Sequence, residues 1–265
     1  MAVIRQAVLD NREQFRQQFD AGKPYRNIVI DNFLAPEVAQ SLYDHFPKVE
    51  DMRKHYSNLN EKKSEGSSFD VWHPDFNRVR EAIMGPEFVA WMEHVTGFKP
   101  LELPDDHRGS GLHQGTDGSY LDIHVDFSIH PIRNIHRRLN LLIFLNPDWK
   151  PEYGGLLELW DPRVERLEYE ILPLFNRAAI FECNDVSYHG YDKISVPERV
   201  TRKSFFAYYY SPIQADVKYH DTIFKPRPSD SRMKKTQTAV KESSKNLIKK
   251  SIQRLGLKSL FEKFE

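Results

Sequence analysis

The feature that most constrains the fold is a series of short apolar segments between residues 98 and 212, separated by turn residues. The longer segments are YLDIHVDF, RRLNLLIFLN, GLLELW, RLEYEIL, RAAIFEC and RKSFFAYYYS. Strands at this spacing are typical of an all-β sandwich, barrel or jelly roll. The run LNLLIFL is apolar on both faces, which predicts a central strand. We find no internal repeat in the sequence.

The regions on either side of these strands have helical character. Residues 1–97 are predicted to form an N-terminal support of strand and helix, including one helix over about 75–95 that stops at a Thr-Gly pair. The polar stretch 50–69 has no period and is predicted to be a lid-like loop, with a disordered insert as the alternative. Residues 98–212 form the predicted catalytic core, and residues 213–265 a basic, partly helical tail.

The formal charge of the chain is zero but unevenly divided. From Lys225 to Glu265 there are twelve Lys and Arg against four Asp and Glu, so the tail carries +8 and the preceding body −8. Docking of the tail on the acidic body is the first expectation, with peripheral contact to an anionic membrane and a homodimer as alternatives. A short helix is predicted from the apolar residues Ile248, Ile252, Leu255, Leu260 and Phe261. Nucleic-acid binding is not predicted.

Composition bounds the class of protein. The chain has 265 residues, of which 40% are hydrophobic, as in globular domains. Its first residues, MAVIRQAVLDNREQFRQQF, are too charged for a secretory signal, and no apolar run approaches membrane-spanning length. The single cysteine, Cys183, excludes an internal disulfide. These features predict a cytoplasmic protein.

The segment YLDIHVDF carries polar residues that can bind a metal. His124 and Asp126, at i and i+2 of a strand, project to one side. Two histidines and one carboxylate on one face of an octahedron hold Fe(II) and leave positions open for oxygen chemistry. The spacing alone is weak evidence, because His73-Pro74-Asp75 repeats it. There Pro74 disfavours a central strand, and Asp75 is well placed to cap a helix.

A third ligand has to come from a later strand. His189 follows the apolar run AAIFEC directly, although it could also be a loop histidine that caps a turn with Gly190. His113, His130 and His136 compete for this role. They lie close to His124 in sequence, so a neighbouring loop would supply them.

A later predicted strand adds a cation. In RVTRKSFFAYYYS, one face carries Arg202, Ser204, Phe206 and Tyr208. An arginine on an otherwise apolar face is costly to bury unless an anion meets it. A guanidinium binds a carboxylate through two hydrogen bonds, and a serine can add a third. The alternative is a strand-end arginine that reaches solvent.

The order and the residues of these segments resemble those of a known family. HVD, RRLNLLIFLNPDW, YGGLLELWD, FNRAAIFE, SYHG and RKSFFAYYYS together resemble the prolyl-4-hydroxylase-like 2-oxoglutarate/Fe(II) dioxygenases, in the branch of ribosomal-protein prolyl hydroxylases and bacterial relatives. The resemblance covers about residues 25–212. It implies a mainly β, cupin-like fold with a double-stranded β-helix (jelly-roll) core and flanking helices.

The resemblance also assigns roles to residues. It implies that His124, Asp126 and His189 bind Fe(II). It implies that Arg202 binds the distal carboxylate of 2-oxoglutarate, with Ser204 beside it.

Some assignments stay open within the resemblance. Arg199 is the alternative anchor if the strand register differs. Relatives place a tyrosine in the block that matches LIFLN, and its hydroxyl also holds 2-oxoglutarate. Phe144 stands there in this chain, so Gln114 or Asn140 is considered as a replacement. Asp122, on the face of His124, either contacts substrate or points into water.

The implied reaction is an oxidation coupled to loss of CO₂ from 2-oxoglutarate. The resemblance implies Fe(II), 2-oxoglutarate and O₂ as cofactors and cosubstrates, and ascorbate is a further cofactor candidate. Because Asp126 is retained, hydroxylation rather than halogenation is expected. The expected substrate is a prolyl residue in a protein or peptide, or a small or lipid-linked metabolite. The alternative is a non-catalytic jelly-roll protein that binds a metal or ligand.

Overall fold

The computed structural model describes residues 2–214 and 217–254, and side chains through residue 244. The strands are β1 Asn27–Asp31, β2 Lys54–Ser57, β3 Glu61–Gly66, β4 Ser110–Gly115, β5 Tyr120–Val125, β6 Ile135–Phe144, β7 Leu157–Trp160, β8 Leu167–Ile171, β9 Arg177–Glu182, β10 His189–Tyr191, β11 Arg202–Pro212 and β12 Ile223–Phe224. The helices are α1 Gln6–Asp10, α2 Arg12–Ala21, α3 Pro36–Asp44, α4 Pro74–Met84, α5 Pro86–Thr96 and α6 Arg232–Arg254.

The strands form one antiparallel sheet in the order β1-β9-β6-β11-β4-β3-β5-β10-β7-β8, with β2 beside β3 and β12 beside β5. The sheet is nearly closed on itself as a jelly-roll-like barrel, which confirms the predicted mainly β fold with flanking helices. β6, which contains the run LNLLIFL, lies between β9 and β11 as expected of a central strand.

Helices cover one face of the β1-β9-β6-β11 part of the sheet. On that face, strand residues such as Leu141 and Phe205 pack in one core with Phe76 of α4 and Trp91 of α5. Prolines begin α3, α4 and α5, where a missing N–H costs no helical hydrogen bond. With its outer face buried under helices, the sheet turns its other face toward the barrel interior.

The helix predicted over about 75–95 is two helices. Gly85 and Pro86 separate α4 from α5, because Pro86 cannot donate a helical hydrogen bond. The stop at Gly97 is as predicted, and that glycine has the left-handed conformation of a helix C-terminus. The cap of α4 is also corrected: the His73 ring, rather than Asp75, accepts the N–H at the helix start.

The stretch 50–69 contains a β-hairpin and not a lid-like loop. β2 pairs with β3, and β3 pairs with both β4 and β5, so this segment is part of the barrel wall. One face of β3 carries Glu61, Lys63 and Glu65. The strand escaped the sequence pattern because charged residues occupy the positions where apolar ones are expected. Strands of the 1–97 region therefore belong to the same sheet as the core.

The tail docks on the body. α6 begins at Arg232, before the apolar residues from which a helix is predicted. Its Lys234 Nζ donates to Asp122 at 2.8 Å, and Asn60 Nδ2 donates to Thr238 Oγ1 at 3.2 Å. The side chains of Ile248 and Ile252, and all of Leu255, Leu260 and Phe261, lie outside the described residues. No helix in the described ranges is long and apolar enough to cross a membrane.

Candidate active site

Two neighbouring strands bring the two metal-binding histidines together. His189 on β10 lies directly opposite His124 on β5, and their ring centroids are 4.3 Å apart. Asp126 follows the end of β5 on the same side. One ligand atom from each of the three residues lies within 4.8 Å of the others. The competing histidines are not part of this group.

Main-chain carbonyls fix both rings. Nδ1 of His124 lies 2.9 Å from Asp122 O, and Nδ1 of His189 lies 2.9 Å from Ser187 O. Because a carbonyl oxygen only accepts, each Nδ1 carries the proton and each Nε2 keeps its lone pair. The two Nε2 atoms lie 3.6 and 3.4 Å from the oxygens of Asp126.

Asp126 is held by two residues of β6. Asn140 Nδ2 donates to its Oδ2 at 2.8 Å, and an Arg137 terminal nitrogen lies 3.1 Å from the same oxygen. Arg137 is fully buried, and its guanidinium lies 3.5 Å from the Tyr208 ring centroid. Sequence analysis missed Arg137. The available signal was a second arginine at the start of an apolar strand.

The charge states suit a divalent cation. Burial would raise the pKa of Asp126, but the Arg137 charge, with His189 and His124, holds it well below its usual value. Burial, and then the neighbouring His124, lower the pKa of His189 to about 3. At neutral pH Asp126 is therefore a carboxylate and His189 a neutral imidazole. Two imidazole nitrogens and one carboxylate are the donor set that Fe(II) oxygenases use, so the residues fit this metal.

Arg202 is a buried cation that lacks an anion. Its side chain is 5% exposed, and its Nε donates to Gly155 O at 2.6 Å. A Cβ at Gly155 would meet the Arg202 side chain at 3.1 Å, so this turn needs a glycine. No carboxylate of a described residue lies within ion-pair distance of Arg202. Burial lowers its pKa to about 10, which still leaves the guanidinium charged at neutral pH.

An organic carboxylate fits the surroundings of Arg202. Ser204, two residues further on the same face of β11, is buried beside it. Uncompensated burial of a guanidinium is costly, and a bidentate carboxylate relieves that cost. The alternative anchor Arg199 is exposed in the loop before β11. The residues therefore fit the distal carboxylate of 2-oxoglutarate at Arg202.

The two amides considered as further ligands of 2-oxoglutarate are engaged elsewhere. Gln114 pairs with Lys203 and so faces the side of the sheet opposite to Arg202. Its Nε2 donates to Thr201 Oγ1 at 2.9 Å. Asn140 donates through Nδ2 to Asp126 and accepts through Oδ1 from Arg137. The structure does not bring Gln114 to Arg202, and it places Asn140 behind the metal ligand.

Asp122 faces the tail and not solvent. It is 2% exposed and accepts hydrogen bonds from Lys234 and from Asn60 Nδ2, the latter at 3.2 Å. The expectation that Asp122 points into water at the strand edge is therefore wrong. The strand alternation failed here because the pairing of β5 with β10 shifts register between Leu121 and His124.

The inner wall beyond the metal site is aromatic and charged. Tyr208 stacks on Phe206 at 4.7 Å, and Phe206 stacks on His113 at 4.2 Å. His113 Nε2 in turn lies 3.3 Å from Glu65 Oε2, and Lys63 Nζ lies 3.7 Å from the same oxygen. This row runs from Arg137, behind Asp126, to the hairpin strand β3. Its position beside the metal makes it the candidate substrate wall.

Two other histidines considered as ligands lie outside the triad. His130 is buried with its Nε2 3.0 Å from Asp106 Oδ2. His136 lies on β6, where it pairs with Ser211. The third ligand is therefore supplied by an opposing strand and not by a neighbouring loop.

These features define a protein with the site of an Fe(II)/2-oxoglutarate oxygenase, and comparisons with known proteins agree. Residues 110–210 match the sequence profile of the 2OG-Fe(II) oxygenase superfamily. Prolyl 3-hydroxylase OGFOD1 of Mus musculus is 23% identical over 194 residues, which cover 71% of this chain and 33% of the mouse protein. The chain thus spans a third of the length of this curated relative.

Solved structures share the fold. A prolyl hydroxylase from Trichoplax adhaerens, in complex with a hypoxia inducible factor oxygen degradation domain peptide fragment, is 15% identical, with a TM-score of 0.52. The alignment covers 78% of this chain and 93% of that one. HygX from Streptomyces hygroscopicus, with nickel, 2-oxoglutarate and hygromycin B bound, is 13% identical at a TM-score of 0.52, covering 78% of this chain and 97% of that one.

The match of residues 110–210 to the 2OG-Fe(II) oxygenase superfamily agrees with the donor set of the triad. The resemblance to prolyl-4-hydroxylase-like dioxygenases that the sequence blocks carry is thereby confirmed. Iron and 2-oxoglutarate are the cofactor and cosubstrate of this family.

Proposed function

We propose that this protein is an Fe(II)- and 2-oxoglutarate-dependent dioxygenase that hydroxylates a prolyl residue in a peptide or protein. The observation that carries the proposal is the combination of the His124–Asp126–His189 triad with the unpaired guanidinium of Arg202 in one barrel. A binding protein without turnover has no need for both an open metal site and a buried cation that lacks an anion.

Each residue has a distinct part in the reaction. The two imidazoles and Asp126 would hold the iron, and Arg202 with Ser204 would hold the far carboxylate of 2-oxoglutarate. Once bound, iron and 2-oxoglutarate would supply the chemistry: one atom of O₂ would end in succinate as CO₂ is released, and the other would enter a C–H bond of the substrate. Arg137 and Asn140 keep Asp126 ionised and oriented, and the barrel wall excludes bulk water.

The wall beside the metal favours a prolyl substrate. Phe206 and Tyr208 stack on each other and give the wall next to the triad an apolar surface, which suits the saturated ring of a prolyl residue. Glu65 and Lys63 further along the wall supply an acceptor and a donor for the main chain of a peptide. The mouse relative and the Trichoplax structure are both named prolyl hydroxylases, which supports the same class of substrate.

A small molecule is the second candidate substrate. HygX, which shares the fold, holds hygromycin B in its structure. The charged face of β3, with Glu61, Lys63 and Glu65, would also suit a polar metabolite.

A substrate screen tests the proposal. Prolyl peptides and a metabolite collection are incubated separately with Fe(II), 2-oxoglutarate and O₂, and succinate release is measured together with the mass of the candidate substrate. We expect a prolyl peptide to gain one oxygen atom in proportion to the succinate formed, and an Asp126→Ala variant to form neither product. A gain confined to metabolites would overturn the prolyl assignment. Absence of any 2-oxoglutarate turnover would overturn the enzymatic one.

Other expectations about this protein stay predictions. These concern ascorbate as an accessory cofactor, a cytoplasmic location, a homodimer and contact of the tail with a membrane.

A further inference from the structure

Two aromatic rings flank the guanidinium of Arg202. The Phe144 ring centroid lies 5.1 Å from its central carbon, and the Tyr191 ring centroid lies 4.5 Å from it. Phe144 brings no polar atom to this place. Tyr191 brings a hydroxyl, and sequence analysis gave it no role.

The position of Tyr191 in β10 directs its side chain into the barrel. It lies two residues after the metal ligand His189, so both side chains occupy the same face of the strand. Gly190 between them presses against β5, because a Cβ there would meet Leu121 O at 2.7 Å. This close approach fixes β10 and leaves Tyr191 on the wall between the metal triad and Arg202.

The Tyr191 hydroxyl is a donor that has no acceptor among the described residues. The residue is 7% exposed, and its hydroxyl makes no hydrogen bond with any residue that the structure describes. The hydroxyl is therefore available to donate to a ligand that binds beside Arg202. The guanidinium of Arg202 lies against this ring, so an anion bound to that guanidinium would lie close to the hydroxyl.

We propose that the Tyr191 hydroxyl donates a hydrogen bond to the distal carboxylate of 2-oxoglutarate, beside the guanidinium of Arg202. The identity of the ligand rests on the proposed function. Tyr191 is then a binding residue for the cosubstrate, and β10 serves both the metal, through His189, and 2-oxoglutarate. Neither Gln114 nor Asn140 can fill this role. The Gln114 amide nitrogen donates to Thr201, and the Asn140 amide nitrogen donates to Asp126.

Calorimetric titration of 2-oxoglutarate tests this assignment, with Mn(II) in place of Fe(II) so that no turnover occurs. Because the substitution removes a hydrogen bond to a charged group, we expect the dissociation constant of 2-oxoglutarate to be about ten- to hundredfold larger for Tyr191→Phe. Oxalate chelates the metal but has no distal carboxylate, so wild type and Tyr191→Phe should bind it equally. Tyr188→Phe is the matched control, because Tyr188 packs with Ile123 and Trp160 in another cluster and should bind 2-oxoglutarate as wild type does.

A second-site change sharpens the test. The Phe144 ring also lies against this guanidinium, at 5.1 Å, so a hydroxyl placed on it should reach the same carboxylate. Tyr191→Phe combined with Phe144→Tyr should therefore recover most of the lost affinity. A double variant no better than Tyr191→Phe would overturn the claim that the two rings serve the same end of the ligand.

The remaining outcomes separate this inference from the proposed function. If wild type binds 2-oxoglutarate and Tyr191→Phe binds it equally well, the inference is wrong and the proposed function stands. If Tyr191→Phe loses oxalate binding to the same extent, the residue acts on the metal site or the fold, and the inference is again wrong. If wild type with Mn(II) binds oxalate but no 2-oxoglutarate, the proposed function falls, and the inference with it.

Discussion

At the scale of single residues, the recognition of 2-oxoglutarate depends most on Arg202. Arg202→Ala removes the one buried guanidinium positioned for the distal carboxylate, and loss of such a pair costs about 2–5 kcal/mol. We expect the 2-oxoglutarate concentration for half-maximal turnover to rise about thirtyfold or more, with little change in the iron requirement.

Arg199→Ala is the matched control for this prediction. Arg199 is exposed and lies three positions before Arg202, so its removal should leave both requirements unchanged. An unchanged 2-oxoglutarate requirement in Arg202→Ala, with a large change in Arg199→Ala, would contradict the assigned register.

His113 makes the stability of the protein sensitive to mild acid. Burial, and then the Lys63 charge, lower the pKa of His113 from 6.5 to about 4. Between these pH values the unfolded chain binds a proton that the folded chain does not, so stability falls as the pH falls from 6.5 toward 4. We expect His113 to account for a loss of about 2 kcal/mol between pH 7 and pH 5.

His113→Phe isolates this contribution, because a phenyl ring keeps the stack on Phe206 and cannot titrate. Urea unfolding at both pH values should show a smaller loss for the variant than for wild type, by about 2 kcal/mol. Parallel stability curves for the two proteins would contradict the buried, neutral state of His113.

Part of the site was readable from the residues themselves. His124 and Asp126 could be found because strand alternation places residues i and i+2 on one side. Arg202 could be found because it is the first residue on an otherwise apolar strand face. Arg137 could not, because its partner Asp126 precedes it by a turn and the contact forms only when β5 and β6 meet in the barrel. Tyr191 could not be found either, because its ring meets Arg202 only in the folded barrel.

At the scale of elements, two causes explain why sequence analysis missed strands β3, β10 and β12. β3 carries charges on its inner face, so no apolar alternation marks it. β10 and β12 have three and two residues, too few for any period. The long strands β6, β9 and β11 were predictable, because both of their faces are buried and their sequences are therefore apolar on both faces.

An ion pair to a buried carboxylate contributes to the docking of α6. Lys234 Nζ lies 2.8 Å from Asp122 Oδ1, and the Asp122 side chain is 2% exposed. Lys234→Ala leaves this buried carboxylate with Asn60 as its remaining partner, and a buried polar group that loses one partner costs about 1–3 kcal/mol. We expect a loss of unfolding free energy of this order in urea titrations.

Lys235→Ala provides the comparison on the same helix. Lys235 Nζ donates only to Pro228 O at the surface. Its removal should change stability by no more than about 0.5 kcal/mol. Equal effects of the two substitutions would show that α6 is not held through Asp122.

At the scale of the whole molecule, the basic tail contacts the acidic body of the same chain. Besides Lys234, Lys241 Nζ donates to Asn60 Oδ1 at 2.9 Å, so tail cations meet groups of the β3–β5 region. A chain ending at residue 236 loses Lys241 and Thr238. We expect it to unfold at a lower temperature and to aggregate more, while iron-dependent turnover of 2-oxoglutarate survives.

The truncated chain retains His124, Asp126, His189 and Arg202, which is why turnover should persist. Thermal unfolding and succinate release from the same preparation check both parts. A truncated chain that melts like the full one and yet forms no succinate would place the tail in the active site, against this account.

The central claim is that one barrel holds iron through its triad and 2-oxoglutarate through Arg202. Anaerobic addition of Fe(II) and then 2-oxoglutarate to the full-length protein tests it most directly, because joint binding gives a weak visible charge-transfer band. We predict that wild type develops the band with one equivalent of each, and that His130→Ala, whose ring bonds Asp106 away from the triad, does so as well. His189→Ala should develop none. A full band in His189→Ala, or no band in wild type, would contradict the claim.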